Sequence, residues 1–406
     1  MRWYSRRFPG LFDRASGPFI WNSTGKRYLD FFTGAGTLSY GHNHPVMKRA
    51  LVEYIERDGI AHSLDFRTEA REEFTRAFDE AILQPRGLNY RMLFPGPAGT
   101  NAVEAALKLA RRKTGRSIVA AFTNAFHGMS LGALAASSGA AKRRAGGVAL
   151  GEVVRLPFDN YFGARIDTIE IIEQIISDPG SGIEPPAAFL VETVQGEGGL
   201  QYASMEWLQR LGALARRNDS LLIIDDIQAG CGRTGDFFSF ELAGIEPDIV
   251  CLSKALSGYG LPLALVLLKE DVDVLAAGEH SGTFRGNNHA FVTGAVAARF
   301  WSDPHFIANI ANNVAIVDEW LLRFCNRYKA EGLSQMGRGL IRGVAFPVPG
   351  QASAVCARAF EEGLLVETSG ASEVVVKMLP PLNIEPSVHR EGLAILEAAA
   401  DEILAL

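Results

Sequence analysis

Two short apolar runs near the middle of the chain, each closed by a charge, limit what this sequence can fold into. Residues 221–224 read LLII and end at Asp225 and Asp226; residues 248–252 read DIVCL and end at Ser253 and Lys254. Runs this short, apolar without alternation and bounded by turn residues, read as buried parallel strands. In open α/β sheets ligands bind just beyond the carboxyl ends of the strands. Asp225 and Lys254 are therefore expected to face one site.

The rest of the chain frames that pair. Residues 19–42 alternate apolar and turn residues, as in a small hairpin followed by a glycine-rich loop, and the pattern turns helical from Pro45 to Glu56. The breaker-rich loop FPGPAGT leads into a helix over 101–112, with Val103, Ala106, Leu107 and Ala110 on one face. Asn101 followed by Glu104 reads as its start signal, which puts Gly99 and Thr100 at a helix amino terminus. Strand-like runs at 117–122, 187–193 and 262–268 and a helix at 207–216 complete an α/β pattern, a mostly parallel sheet covered by helices. The tail differs, with one long helix after Ala290, strands at 339–346 and 373–379 and a last helix near 391–404. We expect a large cofactor-binding domain over 46–300 and a smaller α+β domain built from 1–45 and 301–406. At 406 residues the chain exceeds the roughly 250–300 that one core serves, which agrees with two domains.

Composition removes several functions. Lys+Arg 40 against Asp+Glu 46 gives a net charge of -6, no excess of positive charge for nucleic acid or anionic lipid, so a small-molecule substrate is expected. No uncharged apolar run approaches the ~18 residues of a membrane span, and the basic start MRWYSRRFPG lacks the apolar core of a secretory signal. The cysteines, Cys231, Cys251, Cys325 and Cys356, form no CxxC pair and read as reduced thiols of a cytoplasmic protein.

An ε-amine opposite a carboxylate suits one chemistry: a Schiff base with pyridoxal phosphate, whose ring nitrogen the carboxylate keeps protonated. Gly99-Thr100 offers N–H groups, a hydroxyl and a helix dipole to a phosphate. A lysine closing a strand is also an ordinary surface residue. Gly128-Met-Ser130-Leu-Gly132 matches the nucleophile elbow of α/β-hydrolases, with Asp225 and His280 following in order. However, Asn124–Gly128 intervenes between strand and serine. Gly34-Ala-Gly36 lacks the third glycine of a dinucleotide fingerprint, and His42-x-His44 lacks further ligands at metal spacing, so no metal is expected.

The motifs LDFFTGAGTLSYGHNHP, GPAGTNAVEAALKLAR, FHGMSLGALA, VETVQGEGG, IIDDIQAGCGRTG, LSKALSGYG and GTFRGNN stand in order along nearly the whole chain. In these the sequence resembles the class III pyridoxal-phosphate aminotransferases of fold type I. The resemblance implies Lys254 as the Schiff-base lysine, Asp225 as the partner of the ring nitrogen and Gln228 at the ring hydroxyl. It implies Gly99 and Thr100 at the phosphate, Phe126 on the ring face with His127 beside it, and Glu192 at the cofactor. Thr283 would reach the phosphate of a neighbouring subunit, hence a homodimer with shared active sites or a higher oligomer. Glu197 is the glutamate that in relatives pairs with a tail arginine. That arginine is Lys377 here, and Arg285 is a second candidate for the substrate carboxylate, since lysine lacks the bidentate fork. WYSRRFP, GEHSGTFRGNN and the stretch from AGCGRTG to LPLALVL are similar to the diaminobutyrate aminotransferases that work with 2-oxoglutarate, including those of ectoine biosynthesis. Other ω-amino acids such as ornithine or 4-aminobutyrate, or an aminomutase or racemase on the same residues, are the alternatives.

Overall fold

The computed structural model describes residues 8–405, so the expectations placed on MRWYSRR lie outside them. The chain opens on β1 (Phe12–Ser16), β2 (Phe19–Asn22) and β3 (Arg27–Asp30), an antiparallel meander. It continues through β4 (Arg91–Leu93), β5 (Val119–Phe122), β6 (Val153–Leu156), β7 (Ala188–Val191), the small hairpin β8 (Val194–Gln195) and β9 (Gln201–Tyr202), and then β10 (Leu221–Asp225), β11 (Ile249–Leu252) and β12 (Leu265–Leu268). The tail adds β13 (Ser334–Arg338), β14 (Ile341–Ala345), β15 (Leu364–Leu365), β16 (Glu367–Ser369) and β17 (Val375–Met378).

The central sheet has seven strands in the order β4-β12-β11-β10-β7-β5-β6. All of them but β12 point one way. Strands β5, β7, β11 and β12 are buried throughout, as expected of a sheet covered on both faces. On one face the helix Gly99–Thr114 packs Ala102, Val103, Ala106 and Ala110 with Ile223, Cys251 and Val266, and its alanines let helix and sheet approach closely. On the other, Trp207 of the helix Met205–Arg217 meets Phe122 and Phe158 at ring distances of 5.2 and 5.3 Å. No described helix is long and apolar enough to cross a membrane.

The tail strands form a sheet ordered β13-β14-β17-β16, while β15 joins the opening meander as β1-β2-β3-β15. Both ends of the chain thus share one sheet.

Three expectations are corrected. The helix after the FPGPAGT loop begins at Gly99 with Ala98 as its cap, and Asn101 acts from inside the first turn by accepting from Ala98 N at 3.0 Å. The single long helix after Ala290 is two, Asn288–Arg299 and Pro304–Arg327, because Asp303 accepts from His305 N and Pro304 fits only a first turn. The glycine-rich loop after β3 is a tight turn, Thr33–Gly36, with Gly34 and Ala35 at φ of 60° and 56°.

The hairpin of β13 and β14 rests on the loop carrying Arg233 through Leu340 N to Arg233 O at 2.7 Å. Its turn residue Gly339 has φ of 62°, and an added Cβ would lie 2.4 Å from the carbonyl carbon of Thr234. Left-handed strain and overlap with backbone therefore act together in Gly339→Ala. We expect a loss of about 2–4 kcal/mol in urea unfolding, and a loss below about 0.5 kcal/mol would show that the hairpin moves freely on that loop.

Candidate active site

Parallel pairing sets Asp225 opposite Cys251 at the ends of β10 and β11, and Lys254 follows three positions past that pair. The lysine has φ of 47°, a left-handed conformation that turns it out of the strand direction. Ser253 holds the bend by donating from Oγ to Leu263 O at 2.7 Å. Lys254 and Asp225 line one cavity of about 160 Å³ together with Gly99, Thr100, Phe126, His127, Gly128, Glu192, Glu197, Ile227 and Gln228. The sequence placed most of these residues together.

At the inner end the carboxylate of Asp225 is fixed by His127, Nδ1 to Oδ2 at 2.7 Å with both side chains buried. Burial disfavours the imidazolium, but the hydrogen bond and charge of Asp225 outweigh it and raise the pKa of His127. Glu192 is also buried. It accepts from Phe126 N at 2.9 Å and Gly196 N at 3.3 Å, which ties the ring-bearing loop to the glutamate loop. Burial raises Glu192 to about 7 against the opposing charge of His127, with Asp225 adding to the rise. Gln228 donates to Ala35 O at 3.1 Å, so the left-handed turn after β3 positions this amide. Its Oε1 and His127 Nε2 are buried without a hydrogen-bond partner.

Lys254 is pushed down to about 8, first by burial and then by the charge of Lys377. Lys377 is not the surface lysine that a strand end allows. It is fully buried, with Nζ 2.9 Å from Glu197 Oε1 and 2.8 Å from Glu367 Oε1. Burial would raise Glu197, yet Lys377 overrides it and brings the carboxyl down to about 2.

The competing motifs resolve differently. Ser130 exchanges hydrogen bonds with Thr100 and donates to Glu104 Oε1 at 2.6 Å, while Asp225 is held by His127. No hydrolase triad forms. His42 pairs with Asp30 at 2.7 Å. Asp226 is fully buried and accepts from Ser239 N at 3.1 Å, outside the cavity. Cys231 is buried, and burial holds its thiol well above the usual range. Thr283 and Arg285 are not among the residues lining this cavity, and Arg285 pairs with Asp65. Sequence reasoning missed Ile227, the Asp225–His127 pair and Glu367. An apolar residue between Asp225 and Gln228 was the available signal for the first; the others need the sheet pairings.

These donors fit pyridoxal phosphate. Gly99 and Thr100 begin a 16-residue helix, whose first N–H groups and dipole would hold a phosphate. An amine lies in the cavity, a fixed carboxylate at its inner end, and the free Oε1 of Gln228 awaits a hydroxyl. Gly196 leaves room for that amide, since an added Cβ would lie 1.7 Å from Gln228 Oε1.

The family model described as aminotransferase class-III matches residues 3–400, and the chain belongs to this family of pyridoxal-phosphate enzymes. Among curated relatives, the diaminobutyrate--2-oxoglutarate transaminase of Streptomyces anulatus is 53% identical over 99% of this chain and 96% of its own. The protein of the same name from Halalkalibacterium halodurans is 50% identical over 98% and 93%. The solved ornithine aminotransferase of Toxoplasma gondii is 26% identical with a TM-score of 0.85, covering 98% of this chain and 91% of that one. A Bacillus anthracis aminotransferase at 19% identity and a TM-score of 0.86, covering 99% and 95%, shares the fold.

A lysine near 8 reacts as its neutral amine. Mixed with pyridoxal phosphate, the cofactor-free protein should develop its visible absorption band faster as pH rises through about 8, then level off. Lys254→Ala should form no such band, and a rate flat from pH 7 to 9 would contradict the lowered pKa.

Proposed function

We propose that this protein moves an amino group between L-2,4-diaminobutyrate and 2-oxoglutarate, giving aspartate 4-semialdehyde and glutamate in two half-reactions. The observation that carries the substrate assignment is identity of 50–53% over 98–99% of the chain to relatives of that name. The cavity supports the chemistry.

Pyridoxal phosphate, when bound, supplies an electron-withdrawing ring that stabilises negative charge on a substrate carbon. The chain supplies position and proton movement. In this reading Lys254 is the attachment point and the general base and acid, since burial keeps its amine close to neutrality at working pH. Asp225, oriented by His127, holds the ring nitrogen, Gln228 the ring hydroxyl, and Gly99 and Thr100 the phosphate. Phe126 and Ile227 pack the ring, and Glu192 ties the Phe126 loop in place. Thr283 would serve the phosphate of a second copy, which makes the enzyme a homodimer, and its cysteine use fits the cytoplasm. The shared sheet β1-β2-β3-β15 supports a small domain of 1–45 and 301–406 against a large one of 46–300.

The substrates differ in which end reacts. Glutamate presents an α-amine, whereas diaminobutyrate reacts at its terminal amine and keeps its α-carboxylate distant from the reacting carbon. Glu197 lines the cavity and covers Lys377. We assign it as a gate: closed on Lys377 for one substrate, and withdrawn for the other so that the ammonium takes a carboxylate. Arg285 is the second cation for this purpose if its pairing with Asp65 opens.

Loss of the cofactor's visible band on mixing with single amino acids tests the assignment. L-2,4-diaminobutyrate and glutamate should discharge it quickly, and ornithine and 4-aminobutyrate at least about tenfold more slowly, a selectivity of about 1.4 kcal/mol. A faster reaction with ornithine would move the substrate assignment. Glu197→Ala should change the two productive half-reactions by unequal factors, and equal losses would remove the gate.

A further inference from the structure

The ammonium behind Glu197 has a second partner that faces away from the cavity. Glu367 stands directly opposite Lys377 in the antiparallel pairing of β16 with β17. Its carboxylate is delivered to Nζ by sheet register, at 2.8 Å. Glu197 reaches the same atom from the loop after β8, and it lines the cavity whereas Glu367 does not. The third neighbour is Gly196 O at 3.3 Å.

The two carboxylates are held differently. Glu367 belongs to a hydrogen-bonded strand and its side chain is 12% exposed, whereas Glu197 sits in the glycine-rich loop and its side chain is 29% exposed. Ser369 pins that loop's backbone, accepting from Gly199 N at 3.1 Å and donating to Gly196 O at 2.8 Å, which leaves the Glu197 side chain as the movable part. A buried ammonium whose one counter-charge leaves would be strongly disfavoured. With a second carboxylate in the sheet, the ammonium stays compensated.

We propose that Glu367 is a fixed counter-ion that keeps Lys377 charged and in place while Glu197 and a substrate carboxylate exchange on the ammonium's cavity side. It is a positioning residue, and the assignment rests on the proposed reaction in naming that carboxylate. The charge balance is one for one. Lys377 with Glu197 and Glu367 carries one net negative charge, and replacing Glu197 by a substrate carboxylate leaves it unchanged. Without Glu367 the open state would hold an isolated positive charge.

The charged groups facing Lys377 are Glu367 from β16, Glu197 from the loop after β8, and Lys254 across the cavity; β14 offers Gly343 opposite it. Burial lowers the pKa of Lys377 and the two glutamates raise it above the usual value, so removing Glu367 lets the ammonium lose its proton at lower pH. Glutarate, unreactive and fully ionised at neutral pH and above, is a probe that does not itself titrate.

The test is calorimetric titration of the holoenzyme with glutarate from pH 7 to 9.5, in the wild type, Glu367→Gln and Glu367→Asp. The ratio of Gln-variant to wild-type Kd should grow at least tenfold across this range, and the Asp variant, which keeps the charge, should follow the wild type within about threefold. A Gln-variant ratio that stays flat, or Gln and Asp profiles that move together, would overturn the proposal. If the Gln variant does not fold, Glu367→Gln combined with Lys377→Met decides. Recovery of the fold when both charges are removed supports the counter-ion, and continued failure refutes it. Wild-type failure to react with L-2,4-diaminobutyrate would instead sink the substrate assignment, leaving the glutarate result to judge Glu367.

Discussion

The parallel pairing of β10 with β11 is the constraint from which the site follows. It brings Asp225 and Lys254 to the ends of neighbouring strands, Asp225 buried and Lys254 half-buried in the cavity wall. Charges buried so closely shift one another's protonation. The carboxylates of Asp225, Glu192, Glu197 and Glu367 surround Lys254, Lys377 and His127; burial, with the charge of Asp225, raises Glu192, while the ammonium of Lys377 brings Glu197 down against its own burial. Partial burial, with the charge of Lys377, lowers Lys254 to about 8. Reactivity at the amine and electrostatic tension in the walls thus have one physical origin.

Backbone geometry adds to this. Lys254 adopts a left-handed conformation that costs a non-glycine residue about 1–3 kcal/mol, and the strand before it and the bond from Ser253 to Leu263 O hold it there. Gly196 works in the opposite way, by omission, because the Gln228 amide occupies the place of a side chain. A lysine bent into the cavity and a glycine opened around an amide are complementary means of fitting polar groups into a tight space.

What the sequence disclosed divides by range of interaction. Asp225, Lys254, Gly99 and Thr100 were legible because strand ends and helix starts are local patterns, readable from apolar runs and breaker residues. The cap was misread by three positions, since Ala98 is the cap and Asn101 serves the helix from within its first turn. The binding of His127 to Asp225 joins residues 98 apart in the chain, and nothing near either announces the other. Lys377 was the hardest, because a lysine closing an apolar strand looks the same whether it reaches solvent or a buried carboxylate. Only the pairing of β16 with β17 distinguishes the two.

That pairing also revises what a lysine at this position means. Set against an arginine, a lysine lacks the planar fork that grips a carboxylate at two points. Here its neighbours come from separate segments of the chain. The Gly196 carbonyl, the Glu197 carboxylate and the Glu367 carboxylate come from a loop backbone, a loop side chain and a neighbouring strand, at 3.3, 2.9 and 2.8 Å. The ammonium donates to the Gly196 carbonyl and the Glu197 carboxylate, and Glu367 balances its charge as an ion-pair partner. A substrate carboxylate taking the place of Glu197 inherits its hydrogen bond, while the loop carbonyl and the charge of Glu367 stay in place. The lysine is therefore matched to its surroundings, and the sheet that buries it makes the match possible.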